Sequence, residues 1–220
     1  MLKINKFLLP ALLLAGSAQA GVISTGSTVA ANPNHSMTFE RTGNLATSEV
    51  LNNQFASQGL TFVANSGTAP VLFNTGNCNP GGLTGNGYMS IGVTTGCGVG
   101  NDKSISSMVF DADVAELSFT YVTTASSRYL FEALLDGVVV SSQAVNYNGA
   151  AQTKLLFKGS NFDTVRFTED VSSGNSNWFW ADNLSWRSAT TSTVPEPASL
   201  ALLGLGLAGM AATRRKRKQA

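Results

Sequence analysis

Between Gly21 and Trp186, short apolar segments of high β-propensity alternate with turns rich in Gly, Asn and Ser. The segments are four to nine residues long, which is typical of strands and too short for most helices of a globular domain. Many short strands with frequent turn signals predict an all-β fold built as a single β-sandwich, with one helical turn at 48–57. The predicted strands are 37–40, 60–64, 70–73, 88–93, 104–110, 115–122, 128–136, 138–145, 154–158, 163–168 and 178–186.

The dipeptide Asp136-Gly137 lies between two of these segments and predicts a β-hairpin with a two-residue type I′ turn. One face of this hairpin is apolar and is expected in the core. The other face is half polar and half apolar, which suits either a solvent-exposed or loop-covered surface or a shallow ligand site. The predicted pairs are Leu135–Val138, Ala133–Val140, Phe131–Ser142 and Tyr129–Ala144.

The charge of the central part of the chain differs from that of the whole. Half of the 14 basic residues lie at the two ends, in the first six residues and at 214–218. The remainder has seven basic and twelve acidic residues, so its net charge is about −5. An acidic domain repels phosphate backbones, which argues against nucleic-acid binding.

Residues 1–20 have the parts of a secretory signal peptide. Two lysines precede the apolar run "FLLPALLLAG", and the small residues of "AQA" precede Gly21. We expect this peptide to direct export of the domain at 21–187 into a compartment where disulfides persist, and to be cleaved after Ala20.

The C-terminal residues 188–220 differ in composition from a soluble domain. A small polar linker at 188–193 precedes Val194-Pro195-Glu196-Pro197, where the two prolines keep the chain extended and open to a protease. Residues 198–212 are almost all apolar, but as a helix they are only about 22 Å long, short of a bilayer core of about 30 Å. The basic cluster at 214–218 favours a cytoplasmic end. A plain C-terminal membrane anchor is the alternative to a sorting signal.

The tail resembles the PEP-CTERM sorting signal of Gram-negative bacteria, with Pro-Glu-Pro, a Gly-containing apolar transmembrane helix and a basic end in the same order at 194–220. The resemblance implies processing by a membrane-embedded exosortase. It also implies transient anchoring in the inner membrane, release to the cell surface or beyond, and a link to exopolysaccharide and biofilm formation.

Two cysteines, Cys78 and Cys97, enclose eighteen residues rich in Gly. In an exported protein the natural expectation is a disulfide that closes this loop. Two free buried thiols are the alternative. A metal site is not expected, because His35, the only histidine, is far away in the sequence.

Catalytic signatures are weak. The chain has no Gly-x-Ser-x-Gly elbow, and a Ser-His-Asp site would depend on His35. A glycosidase needs two carboxylates, but Glu116, Glu132 and Asp136 show no diagnostic spacing. The sequence therefore predicts a non-enzymatic protein.

All three tryptophans, Trp178, Trp180 and Trp186, fall within nine residues. In one regular strand they would share a face, and exposed aromatic rings beside polar groups are a platform for sugars. With Glu132 of the mixed hairpin face, they form the predicted carbohydrate site. Packing of the tryptophans in the core is the alternative.

The segments "MTFERTG…VLNNQFASQGLTFVA" and "VRFTED…FWADNLSW" resemble the jelly-roll domains of PEP-CTERM proteins, which are similar to carbohydrate-binding modules. The resemblance implies neighbouring first and last strands joined by structural calcium, with Glu40 and Asp182 at the acidic positions. A contact to backbone or solvent is the alternative.

Together these features predict an exported β-sandwich that binds extracellular polysaccharide. The alternatives are a purely structural surface protein without a ligand and a polysaccharide hydrolase or lyase.

Overall fold

The computed structural model describes residues 21–40, 49–67, 69–74, 83, 87–91, 93–94, 98–99, 104–123, 128–146, 152–169 and 179–190. They form antiparallel strands and one turn of 3-10 helix, Ala56–Gln58, within a compact unit that ends at Ala189. The strands are β1 Val22–Gly26, β2 His35–Met37, β3 Glu49–Val50, β4 Leu60–Ser66, β5 Val71–Asn74, β6 Gly87–Ile91, β7 Val93–Thr94, β8 Gly98–Val99, β9 Ile105–Thr123, β10 Arg128–Leu135, β11 Val138–Asn146, β12 Thr153–Glu169 and β13 Phe179–Ser188.

Two long strands organise the fold. Each of β9 and β12 joins two strands that the sequence predicts as separate, because the short polar stretch between them bends the chain without reversing it. Register shifts between Lys158 and Phe162, and between Phe162 and Thr164, mark the bend. The first half of β9 pairs with β4 and its second half with β13. The first half of β12 pairs with β1 and its second half with β10.

The bends fold the sheet over on itself. In the hydrogen-bonded order β10, β12, β9 and β13, the outer two strands are three steps apart, or roughly 14 Å along a flat sheet. Nevertheless, the rings of Phe131 in β10 and Phe179 in β13 have centroids 5.4 Å apart. Their side chains therefore meet across a core between two layers. The all-β sandwich predicted from the sequence is confirmed.

The hairpin of β10 and β11 shows where the predicted pairing holds and where it fails. Asp136 and Gly137 both have positive φ, 51° and 78°, and Leu135 pairs with Val138 as predicted. A bulge after Ala133 then shifts the register by one residue, so the other predicted pairs are wrong. The observed pairs include Ala133–Ser141, Phe131–Gln143 and Tyr129–Val145.

The N-terminal part of the domain contains elements that the sequence did not indicate. Strand β1 pairs along β12, and the backbone N–H of Gly21 donates to the carbonyl of Val140 at 3.3 Å. The predicted helical turn at 48–57 is wrong at its start, where β3 pairs with β5, and the single 3-10 turn comes later. Among the described residues no helix has the length and hydropathy to cross a bilayer, and the apolar run at 198–212 lies outside them.

Candidate functional site

The last strand, β13, contains a bulge that changes which side chains face the main core. Its register against β9 shifts between Asp182 and Ser185, and Asn183 has a positive φ of 54°. Residues Phe179 and Ala181 pack in the main core before the bulge, and Leu184 and Trp186 pack there after it. The shared tryptophan face expected of a regular strand is therefore not formed.

The structure places Trp180 and Trp186 in the interior, the alternative that the sequence left open. Trp180 is 1% exposed and packs edge-on against Tyr88 in a small cluster outside the main core. Trp186 is 2% exposed in the main core. Neither indole offers an open ring face to a sugar. Trp178 lies outside the described residues.

Asp182 is fully buried and acts as an acceptor for the bulge. Its Oδ1 accepts hydrogen bonds from the backbone N–H of Asn183 at 2.7 Å and of Phe39 at 3.3 Å. Its Oδ2 accepts from Nδ2 of Asn183 at 3.3 Å. Burial raises the pKa of Asp182 above its usual value, the two backbone hydrogen bonds oppose this rise, and the nearby charge of Glu40 adds to it.

These contacts also test the fit of calcium to Glu40 and Asp182. Strand β2 pairs with β13, so the early and late parts of the domain are neighbours. However, calcium takes six to eight oxygen ligands. No three His, Cys, Asp or Glu side chains in the described ranges group to hold a metal. The carboxylate of Asp182 already accepts hydrogen bonds from protein N–H groups, which is the backbone contact named as the alternative, and the predicted calcium site is left to a chelation test.

Glu132 of the predicted carbohydrate site forms an ion pair on the outer face of the hairpin. It lies directly opposite Arg166 on β12, and both Nε and a terminal nitrogen of Arg166 approach its Oε2 at 2.9 Å. The side chain of Glu132 is 15% exposed. Its carboxylate is therefore already engaged by a protein cation.

A polar surface cavity of about 560 Å³ lies elsewhere, between the start of β2, the 3-10 turn and the bend of β9. The side chains of Ser36, Ser57, Gln58 and Asp111 line it, and Asn34, His35 and Gly59 complete its wall. Sequence separation explains why these residues were missed as a group, because three distant segments meet only in the folded domain.

His35 is held in this wall by its partner on β13. The two residues are opposite each other in the β2–β13 register. The imidazole stacks on the buried indole of Trp186, which also contacts the ring of Phe110 at a centroid distance of 5.6 Å. An aromatic core residue thus fixes the position of a cavity residue.

Gly59 allows the opposite wall to close on Asp111. It caps the 3-10 turn in the left-handed conformation, with φ of 81°. The N–H of Asp111 donates to the carbonyl of Gly59 at 3.1 Å. A Cβ at position 59 would lie 2.5 Å from Oδ1 of Asp111, so this close approach requires glycine. The Gly of "SQG" at 57–59 is a local signal for such a turn, but nothing in the sequence there points to Asp111.

Several predicted features lie outside the described residues. They are residues 1–20, Cys78, Cys97, Trp178 and the tail containing Val194, Pro195, Glu196 and Pro197. The disulfide and the signal peptide stay predictions.

Comparison with protein families decides the nature of the tail. Residues 193–217 match the model of the PEP-CTERM protein-sorting motif. The chain carries a PEP-CTERM sorting signal. This motif indicates a secreted protein that is processed at the membrane, as the resemblance implied. Comparison with curated proteins gives no match.

Solved structures with a similar chain trace include the K1 cleaved adhesin domain of Lys-gingipain from Porphyromonas gingivalis. It is 15% identical, with a TM-score of 0.45 over 71% of this chain and 98% of that one. CBM32-3 from a family 31 glycoside hydrolase of Clostridium perfringens is 16% identical, with a TM-score of 0.37 over 60% and 93%. TmCBM61 in complex with β-1,4-galactotriose is 11% identical, with a TM-score of 0.34 over 64% and 98%.

Proposed function

We propose that this PEP-CTERM protein is cut by an exosortase of a Gram-negative bacterium, reaches the cell surface or the extracellular matrix, and there binds polysaccharide without altering it. The sorting motif at 193–217 supports the route. The polar cavity supports the binding role, and we assign the ligand site there and not to the buried tryptophans.

The observation that carries the binding role is the set of available polar groups in the cavity. Ser36, Ser57, Gln58 and Asp111 line it, and their side chains make no hydrogen bond within the described part of the chain. Hydroxyl, amide and carboxylate groups can donate to and accept from sugar hydroxyls, and the imidazole of His35 adds a flat ring held in place. An open polar site of this kind gives weak affinity, with a dissociation constant on the order of 0.1–1 mM.

The same lining argues for binding over hydrolysis. The usual glycosidase mechanism places two carboxyl groups on opposite sides of the scissile bond. Of the described side chains around the cavity, only Asp111 carries a carboxylate. A polysaccharide that enters this site finds hydrogen-bonding partners but no carboxylate pair.

The experiment is retention of the secreted protein on immobilised exopolysaccharide from its own host, with reducing-sugar release measured in the same samples. We expect retention without sugar release, and weaker retention for Gln58→Ala. Gln143→Ala is the matched control, because this exposed amide lies on the distant strand β11. Equal retention of Gln58→Ala and Gln143→Ala would show that the binding site is not in the cavity. No retention of the wild type would favour a structural protein without a ligand. Release of reducing sugar would favour a hydrolase.

A further inference from the structure

We propose that the cavity selects glycans that carry free amino groups, so that the ligand is an amino-sugar polymer with ammonium groups and not a neutral or uronic-acid polymer. This inference rests on the proposed binding function and adds the chemical class of the ligand. It follows from the charge and the accessibility of the groups that line the cavity.

Asp111 contributes a carboxylate to the cavity. It is the one carboxylate among the described residues of the lining, where neither Lys nor Arg is present. Asp111 is exposed, and its carboxylate accepts no hydrogen bond from the described residues. This contrasts with Glu132 and Glu116, each of which already pairs with an arginine. The carboxylate of Asp111 is therefore available to a cationic group of a ligand.

The carboxylate of Asp111 lies beside the 3-10 turn. The backbone of Asp111 is bound to Gly59, and the absence of a side chain at Gly59 lets the carboxylate lie against the 3-10 turn. Ser57 and Gln58 of that turn line the same cavity and can bind sugar hydroxyls. A ligand residue in this cavity can therefore meet both the carboxylate of Asp111 and the polar groups of the turn, and an amino-sugar residue carries both an ammonium group and hydroxyls.

The wider charge of the domain acts in the same direction. Asp113, two residues further along β9, is also exposed, and the region between the two processing signals has a net charge of about −5. This field attracts a cationic polymer and repels a polyuronate. An ammonium–carboxylate contact in a solvent-exposed site adds affinity of about fivefold at most per contact, and added salt reduces it.

The test compares two short β-1,4-linked tetrasaccharides with the same backbone, one of glucosamine and one of N-acetylglucosamine, by calorimetry on the secreted protein. Acetylation removes the charge and keeps the ring hydroxyls. We expect the glucosamine tetrasaccharide to bind about fivefold more tightly, and we expect a tetramer of a uronic acid to bind more weakly than both. The comparison of ligands needs no variant and is independent of any folding defect.

The variant Asp111→Asn then locates the effect. It keeps the shape of the side chain and is expected to abolish the preference for the free amine, so that the two tetrasaccharides bind with the same affinity. Asp113→Asn is the matched control, because it removes the same charge two residues away, outside the lining. The Asp113→Asn variant should keep the preference for the glucosamine tetrasaccharide.

Each outcome decides between the two proposals. An equal affinity for the two tetrasaccharides, or a preference that survives in Asp111→Asn, overturns the amino-sugar assignment and leaves polysaccharide binding intact. Retention on the host polysaccharide without binding of the glucosamine ligand has the same meaning. Failure to bind both the tetrasaccharides and the host polysaccharide overturns the proposed function itself.

Discussion

The imidazole of His35 lies parallel to the indole of Trp186, with ring centroids 4.8 Å apart and an interplanar angle of 2°. Trp186 belongs to the core, and His35 belongs to the wall of the polar cavity. This contact therefore connects the stability of the sandwich with the shape of its candidate binding site. The buried indole supports this wall from the core side, which is the core alternative that the sequence left open for Trp186.

Replacing Trp186 by Ala should destabilise the domain strongly. The indole is 2% exposed, and removal of a buried Trp leaves a cavity that costs roughly 3–5 kcal/mol of unfolding free energy. Denaturant unfolding measures the loss. His35→Ala is the comparison variant, and its loss should be much smaller because the imidazole is only partly buried. A Trp186→Ala protein with wild-type stability would show that the indole is not in the core.

The pH dependence of stability should report on Asp182. Burial raises its folded-state pKa above the unfolded value, so its neutral form is favoured by folding. Its contribution to stability is fully present below the unfolded pKa and is lost as the pH rises through the raised folded pKa. Acidification from neutral pH to about 4 should therefore raise the stability of the wild type relative to that of Asp182→Asn, whose side chain cannot ionise. Melting temperatures of the pair across this range give the difference, and a constant or opposite difference would contradict the raised pKa.

Chelation tests the calcium site predicted for Glu40 and Asp182. The donors that surround Asp182 are backbone and side-chain N–H groups of the protein, which hold the carboxylate without a cation. We therefore expect the melting temperature to be the same in chelator and in added calcium. Saturation of a real site at a hundredfold excess over its dissociation constant would stabilise by about 2.7 kcal/mol. A melting temperature that falls in chelator and recovers with calcium would establish the site.

The hairpin and the last strand show what could be predicted from the sequence and what could not. Local signals were sufficient for the Asp136-Gly137 turn, whose positive φ values suit these residue types. The sequence around Ala133 and around Asn183 does not reliably predict a bulge, yet each bulge shifts the register of every later residue of its strand by one position. The first error changed the strand pairing, and the second placed Trp180 and Trp186 on different faces.

The cavity was beyond sequence reasoning for a different reason. His35, Gln58 and Asp111 belong to segments far apart in the chain, and only the β2–β13 pairing and the bend of β9 bring them together. The tail, by contrast, could be identified from sequence, because a sorting signal is recognised as a linear segment.

Intact-mass analysis should show processing at both ends of the secreted protein. We expect a chain that begins at Gly21 and ends between Pro195 and Pro197, because the predicted signal peptide precedes the first and the PEP-CTERM motif contains the second. The contact between the backbone of Gly21 and Val140 is compatible with a chain that starts there. A mass that retains the basic cluster at 214–218 would favour a simple membrane anchor.

The most direct test of polysaccharide binding at the cavity is an NMR titration of the isotope-labelled secreted protein with oligosaccharides cut from the host exopolysaccharide. We predict that the backbone amide signals of 34–36, 57–59 and Asp111 shift first and saturate with one dissociation constant on the order of 0.1–1 mM. Shifts centred on the outer hairpin face around Glu132, or no shift at oligosaccharide concentrations well above this range, would contradict the assignment of the binding site to the cavity.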